Sequence, residues 1–312
     1  MILINQKMID TLTLSTTIHH ATDSVNYFLQ SDQDIITGTF TFMQYKGIPV
    51  YIDYEQDIAC RYYPDSHIMH IQCNPSRLIG RTYHQHHQQE LIKEIATRLF
   101  YFKFIDWDNL KLNRVDYKMD CKPDPALFDK YFKLYAKADS FIYKNNKKIT
   151  AITNYGKSKD TIIYDKSACD IAKNKYHPEH DGIIRFETHV KNSKLNYHHT
   201  AKNWGCTKEL LNYDSFWDAQ NHLDASIARL IGTGDYYPAI ISKRRLKEHF
   251  RASTVGKLID FQTVISRHGM RAAKTDKHFN LHMSRLKQAN INPVPIPKHW
   301  GIEYLPQLYF YG

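Results

Sequence analysis

The sequence has little cysteine and no long apolar run. Its five cysteines, Cys60, Cys73, Cys121, Cys169 and Cys206, are scattered, and no two form a CxxC pair. That argues against zinc ribbons and disulfide frameworks and fits a reducing, cytoplasmic setting. No apolar stretch approaches membrane-spanning length. The first residues, "MILINQKMIDTLTLSTTI", are interrupted by Lys7 and Asp10 and read as neither signal peptide nor anchor, so no membrane partner is expected. Internal repeats and low-complexity segments are missing too, which argues against solenoids and disordered linkers.

Basic and aromatic side chains are what is present. The 312 residues carry 42 Lys and Arg against 32 Asp and Glu, a net charge of +10 before any of the 18 His is counted. Such an excess attracts a polyanion. Aromatics make up 13%, with 22 Tyr. Rings among cations suit nucleic acid better than lipid, because bases stack on them.

Strand and helix patterns alternate along the first two thirds. A strand is expected over 9–18, a hairpin turning near Lys46-Gly47, and a strand in "SHIMHIQC" closed by Asn74-Pro75. Helical spacing follows in "QQELIKEIATRLFYF" and in "DPALFDKYFKLYAKA", with the strand "LNRVDYKMD" between them. A hairpin turning at 156–158 and the strand "GIIRFETHVK" complete this part. The expected class is α+β: an antiparallel, RRM- or ferredoxin-like sheet domain over 1–205. Beyond it, 206–312 reads as mainly helical, with one long helix halted by Gly232 and Gly234 and shorter ones over 242–251, 253–268 and 276–289.

Three strands carry polar residues on one face. Val115, Tyr117 and Met119 alternate with Arg114, Asp116 and Lys118; Phe186, Thr188 and Val190 alternate with Arg185, Glu187 and His189. Met69, Ile71 and Cys73 leave His70 on the opposite side. His70, Asp116 and Glu187 are thus candidate ligands for Mg²⁺ or Mn²⁺, with ordinary Arg-carboxylate pairing as the competing reading. In "DTIIYDKSAC", a strand running to residue 166 would place Tyr164 and Lys166 on one face, as a tyrosine nucleophile with a cation or as a plain strand end. The His-rich "YHQHHQQE" over 83–90 reads as a solvated loop or helix start.

"MIDTLTLS" (8–15), "RVD" (114–116), the Y-x-K of 164–166 and "IIRFETHVK" (183–191) resemble the replication initiators encoded by gene II of filamentous phages. The last three are also similar to plasmid rolling-circle initiators of the Rep_trans type. The likeness extends into "STVGKLIDFQTVISRHGM" and "HFNLHMSRLKQANI". It implies a site-specific DNA-nicking and rejoining enzyme that forms a covalent 5′-phosphotyrosine. Tyr164 would be the nucleophile, Lys166 its basic neighbour lowering the phenol's pKa, and Asp116 and Glu187 metal ligands, with His70 as the third. Partners would be duplex and single-stranded origin DNA, with a host helicase and polymerase. Arg114 and Arg185 in the sheet, Lys243, Arg244, Arg245 and Lys247 in "SKRRLKEHFR", and Arg285 in a final helix are the expected DNA contacts. Helices over 253–268 and 276–289 would suit a helix-turn-helix.

Overall fold

The computed structural model describes residues 2–17, 41–53, 58–81, 87–98, 110–138, 140–191 and 223–308. Among these residues ten strands form one sheet: β1 (Ile2–Thr17), β2 (Thr41–Tyr45), β3 (Ile48–Asp53), β4 (Ile58–Tyr63), β5 (Ile68–Cys73), β6 (Lys111–Lys122), β7 (Phe141–Asn145), β8 (Lys148–Asn154), β9 (Lys159–Asp165) and β10 (Ile184–Lys191). Their order is β2-β3-β4-β5-β1-β6-β10-β9-β8-β7, and every neighbouring pair is antiparallel. The class is α+β, with the helices mostly in the C-terminal half.

The alternation of each central strand becomes a two-faced sheet. Val115, Tyr117, Met119, Phe186, Val190, Met69, Ile71 and Cys73 are buried on one side, as their spacing requires. The β2–β3 turn falls at Lys46 and Gly47, both with positive φ, which matches the right-handed twist of the flanking strands. Two strands, β4 and β7, are not predicted by the sequence pattern. Every residue of β7 is exposed, so no buried face imprints a period on it. Its turn to β8 uses Asn146 and Lys147 at positive φ, and lysine is not a turn signal.

The sheet has an approximate two-fold arrangement that the sequence hides. β1 is followed by the meander β2 to β5, whose last strand returns beside β1; β6 is followed by β7 to β10, whose last strand returns beside β6. β1 and β6 meet at the centre, where Leu12 pairs with Val115. Cys73 stands opposite Leu12 as Val190 stands opposite Val115. Counting outwards, His70 in β5 and Glu187 in β10 hold equivalent positions, and so do Tyr63 in β4 and Tyr164 in β9.

Among the described residues the helices are α1 (Pro75–Leu78), α2 (Gln88–Arg98), α3 (Pro125–Tyr135), α4 (Lys166–Ala172), α5 (residues 223–231), α6 (Ala239–His249), α7 (Ala252–His268), α8 (Met270–Ala273) and α9 (Phe279–Gln288). All but α4 put side chains into the apolar core, while α4 borders the polar face of the sheet. α3 begins at an Asp124 cap with Pro125 in its first turn, and its ring Tyr135 meets Phe186 of β10 with centroids 6.1 Å apart. Of the long helix expected before Gly232, residues 223–231 are described; Gly232 ends it at φ 76°. The expected helices at 242–251, 253–268 and 276–289 are α6, α7 and α9, shifted by a few residues at most.

The expected domain boundary at 205 and residues 83–86 of the His-rich segment lie outside the described residues, while 87–90 lead into α2. On either side of that boundary the described parts share one apolar core. Tyr131 in α3 donates its hydroxyl to the Pro306 carbonyl at 2.9 Å, and the Met270 amide donates to the Lys137 carbonyl at 2.7 Å. Cys121 in β6 contacts the Leu308 carbonyl at 3.3 Å. The C-terminal helices are therefore part of the layer that buries the sheet. Among the described residues no helix is long and apolar enough to cross a membrane.

Candidate active site

The polar face of β6, β9 and β10 lines a cavity of ≈ 480 Å³. Register puts its charges in rows: Arg185 stands between Tyr164 and Asp120, Glu187 opposite Lys118, and His189 opposite Asp116. Side chains directly opposite in an antiparallel sheet lie on the same face, so one alternation in three strands gathers these groups. Lys173, Lys175 and His177, which follow α4, and Arg77 of α1 complete a basic rim around the acids.

Tyr164 donates its hydroxyl to Glu187 Oε1 at 2.6 Å, diagonally across the β9–β10 ladder. Burial, and then the Glu187 charge, push the phenol far above its ordinary value, while Arg185 opposes them. The phenol is therefore held protonated beside a carboxylate. This differs from the expectation of a phenol whose pKa is lowered by Lys166. The strand ends at Asp165, whose carboxylate accepts from the Ala168 amide at 3.1 Å and caps α4, so Lys166 is the first helical residue. Its ammonium still enters the cavity but is hydrogen-bonded to Asp170. The cation that acts on Tyr164 is Arg185.

Asp170 joins two basic side chains. Lys166 binds one oxygen, and His180 Nδ1 lies 2.6 Å from the other. Burial raises the Asp170 pKa, but these partners outweigh it and leave the group below the carboxylate range. Lys118 is likewise bound to Asp10 of β1, whose burial is outweighed by Lys118 and Arg185. Asp10, Lys118, Asp170, His180 and His189 are site residues that motif reading misses. Lys118 and His189 alone carried a signal, since each shares a strand face with Asp116 or Glu187 two residues on.

Asp116 is buried and accepts two hydrogen bonds from Arg114, Nε to Oδ1 at 2.6 Å and a terminal nitrogen to Oδ2 at 2.8 Å. Burial still raises its pKa above the ordinary carboxylate value. His189 Nε2 lies 3.1 Å from Glu187 Oε2 and 4.0 Å from Asp116 Oδ2, so one imidazole spans both expected ligands. Among the described residues, no group of three or more His, Cys, Asp and Glu side chains is arranged to hold a metal ion. Asp116 and Glu187 are hard oxygen donors of the kind Mg²⁺ or Mn²⁺ takes, but Arg114 holds both oxygens of the first, and Tyr164 and His189 hold those of the second.

His70 is not brought to this cavity. It is on the same face but pairs with Ser15, contacts Asn113 at 3.2 Å and lies against the Tyr63 ring at 4.8 Å. Burial and then Arg61 lower its pKa. It occupies Glu187's place in the other half of the sheet, as Tyr63 occupies Tyr164's, so the phenol's two-fold mate meets an imidazole where Tyr164 meets an acid.

The expected DNA contacts fall into two groups. Arg185 is buried and holds Asp120 with two bonds of 2.6 and 2.8 Å, and Arg114 is committed to Asp116. Lys243, Arg244, Arg245 and Lys247 are exposed along α6, where the Arg245 guanidinium lies 4.5 Å from the Tyr237 ring centroid. Arg285 in α9 is half-buried. A second cavity of ≈ 660 Å³ lies among α7, α8 and α9, lined by Phe261, Val264 and His282 beneath Lys257 and Lys277.

No protein-family model and no curated protein matches the chain. Among solved structures it is similar to a rolling circle replication initiator protein from Geobacillus stearothermophilus, with a TM-score of 0.33 and 12% identity over 94% of this chain and 98% of that chain.

Proposed function

We propose that the protein is a DNA strand-nicking and rejoining initiator of rolling-circle replication, with Tyr164 as its nucleophile. The observation that carries this reading is the Tyr164 hydroxyl, bonded to Glu187 inside a cavity with a basic rim. A half-buried phenol with its own carboxylate acceptor is equipped for base-assisted attack.

In the proposed reaction Tyr164 Oη attacks the phosphorus of one DNA phosphodiester. The phenol proton passes to Glu187, the Tyr164 O–P bond forms, and the P–O3′ bond breaks. The 3′-oxygen leaves and takes up a proton to become a free hydroxyl. The 5′-phosphate stays on Tyr164 as a diester, so the reverse attack by a 3′-hydroxyl restores the strand. Arg185, Lys118 and Lys166 line the same cavity and stabilise the charge that builds on the phosphoryl oxygens. Their carboxylate partners keep them placed before DNA arrives.

The proposal includes a divalent ion, Mg²⁺ or Mn²⁺, held by Asp116 and Glu187, with water in the remaining positions. Bound there, it would supply Lewis-acid polarisation of the phosphate. Arg114 holds both Asp116 oxygens, so it would have to swing away. Origin DNA is the proposed partner, and the exposed cations of α6 are its proposed phosphate contacts.

The test is a denaturing gel of the protein incubated with single-stranded DNA from its own replicon and Mn²⁺. The expected result is a protein–DNA adduct whose attached peptide contains Tyr164. Cleavage without an adduct would indicate water as the nucleophile. Binding with neither would make the protein a non-enzymatic nucleic-acid binder.

A further inference from the structure

Beyond β9 the catalytic face continues onto a surface that the proposed chemistry does not use. Tyr164 pairs with Ala151 of β8, and Ala151 pairs with Tyr143 of the edge strand β7. Tyr143 therefore lies on Tyr164's own face, two strand spacings away, or about 10 Å. Phe141, two residues earlier in β7, is on that face as well. Tyr155, from the loop after β8, closes the group: its ring lies 5.8 Å from Phe141, and its hydroxyl is 2.9 Å from that of Tyr143.

These three rings are exposed, Phe141 at 63%, Tyr155 at 55% and Tyr143 at 47%. A cluster of three large aromatics this open loses hydrophobic stabilisation unless something covers it. We propose that Phe141, Tyr143 and Tyr155 form a stacking platform for the bases of single-stranded DNA next to the scissile phosphate. This rests on the nicking reading and assigns the neighbouring part of its substrate site. Two observations select this occupant. The platform is continuous with the cavity that would hold the phosphate, and the only polar atoms presented by the rings are two hydroxyls bonded to each other. A face of this kind recognises flat π-surfaces without regard to sequence. The small Ala151 between Tyr143 and Tyr164 leaves a shallow path from one to the other.

The experiment uses the full chain and a fluorescein-labelled oligothymidylate, which needs no cleavage site. Affinity is read by anisotropy, with sedimentation velocity as a companion measurement. The double variant Tyr143→Ala/Tyr155→Ala should bind the single strand at least 5-fold more weakly, and up to roughly 150-fold, the range for losing one stacked base. The double variant Tyr143→Phe/Tyr155→Phe keeps the rings and should bind like the wild type. Photocrosslinking with 5-iododeoxyuridine should label the peptides containing 141–143 or 155. If the alanine variant is folded by circular dichroism and binds unchanged, the platform is overturned. It is equally overturned if the only change is a loss of self-association or of a protein partner along the β7 edge. The readout is separate from nicking: a missing Tyr164 adduct defeats the catalytic reading even where the stacking result holds.

Discussion

Tyr164 and Glu187 are joined by a 2.6 Å hydrogen bond although neither stands directly opposite the other in the sheet. Arg185 is the residue opposite Tyr164, and it is held by Asp120. The phenol leans past that ion pair to reach the next acid on the same face. The proposed nucleophile thus sits between a cation that favours its phenolate and a carboxylate that accepts its hydrogen bond.

Tyr164→Phe removes only the attacking oxygen. Adduct formation should fall to background, while binding of single-stranded DNA stays within about two-fold, as expected where no buried partner is lost on the DNA side. Tyr155→Phe should form the adduct at the wild-type level, because Tyr155 is exposed and bonded to Tyr143 rather than to an acid. Mass spectrometry of the DNA-linked peptide decides between the two tyrosines.

Glu187→Gln keeps the shape of the acceptor and loses its charge. Single-turnover nicking should slow by about 10²- to 10⁴-fold, the range for a positioned general base. The Tyr164 phenol should also become easier to ionise, since Glu187 is the second-largest cause of its elevation after burial.

Asp116 offers a test of the metal that does not need activity. Its folded pKa is raised, first by burial. A raised pKa means that the folded chain holds this proton more tightly than the unfolded chain. The stabilising contribution is therefore complete below 3.8 and disappears as pH rises through the folded value. At neutral pH the ionised group costs stability, and Asp116→Asn should melt no lower than the wild type. Mn²⁺ should raise the melting temperature of the wild type and leave that of Asp116→Asn unchanged. Equal shifts in both proteins would remove Asp116 as a ligand.

A chain cut at residue 205 keeps Asp116, Tyr164, Lys166 and Glu187 but loses the helices that share their core. Tyr131 and Tyr135 are each about 1% exposed in the full chain, and both belong to the core cluster that Tyr236 and Leu305 complete. The fragment should lose cooperative urea unfolding and bind a hydrophobic dye. A sharp transition with native near-ultraviolet circular dichroism would show instead that the sheet stands alone and that the helices serve DNA or a partner.

The sequence by itself determined which faces of the central strands are polar. Alternation is local and is written into every second residue, so Asp116 was legible on the polar face of one strand and Glu187 with His189 on that of another before any fold was known. The α3 start at Pro125 and the Lys46-Gly47 turn were legible for the same reason, since caps and turns are chemistry between adjacent residues. Tertiary structure decided the rest, because it depends on which strands become neighbours. Only the register places Tyr164 beside Glu187 and sends His70 to the equivalent place in the opposite half of the sheet. The strand pattern could not show that Asp165 caps a helix and turns Lys166 toward Asp170. Nor could it reveal β7, whose exposed residues carry no burial period. The shared core of the sheet and the C-terminal helices was hidden as well, because contacts such as Tyr131 to Pro306 join residues far apart in the chain.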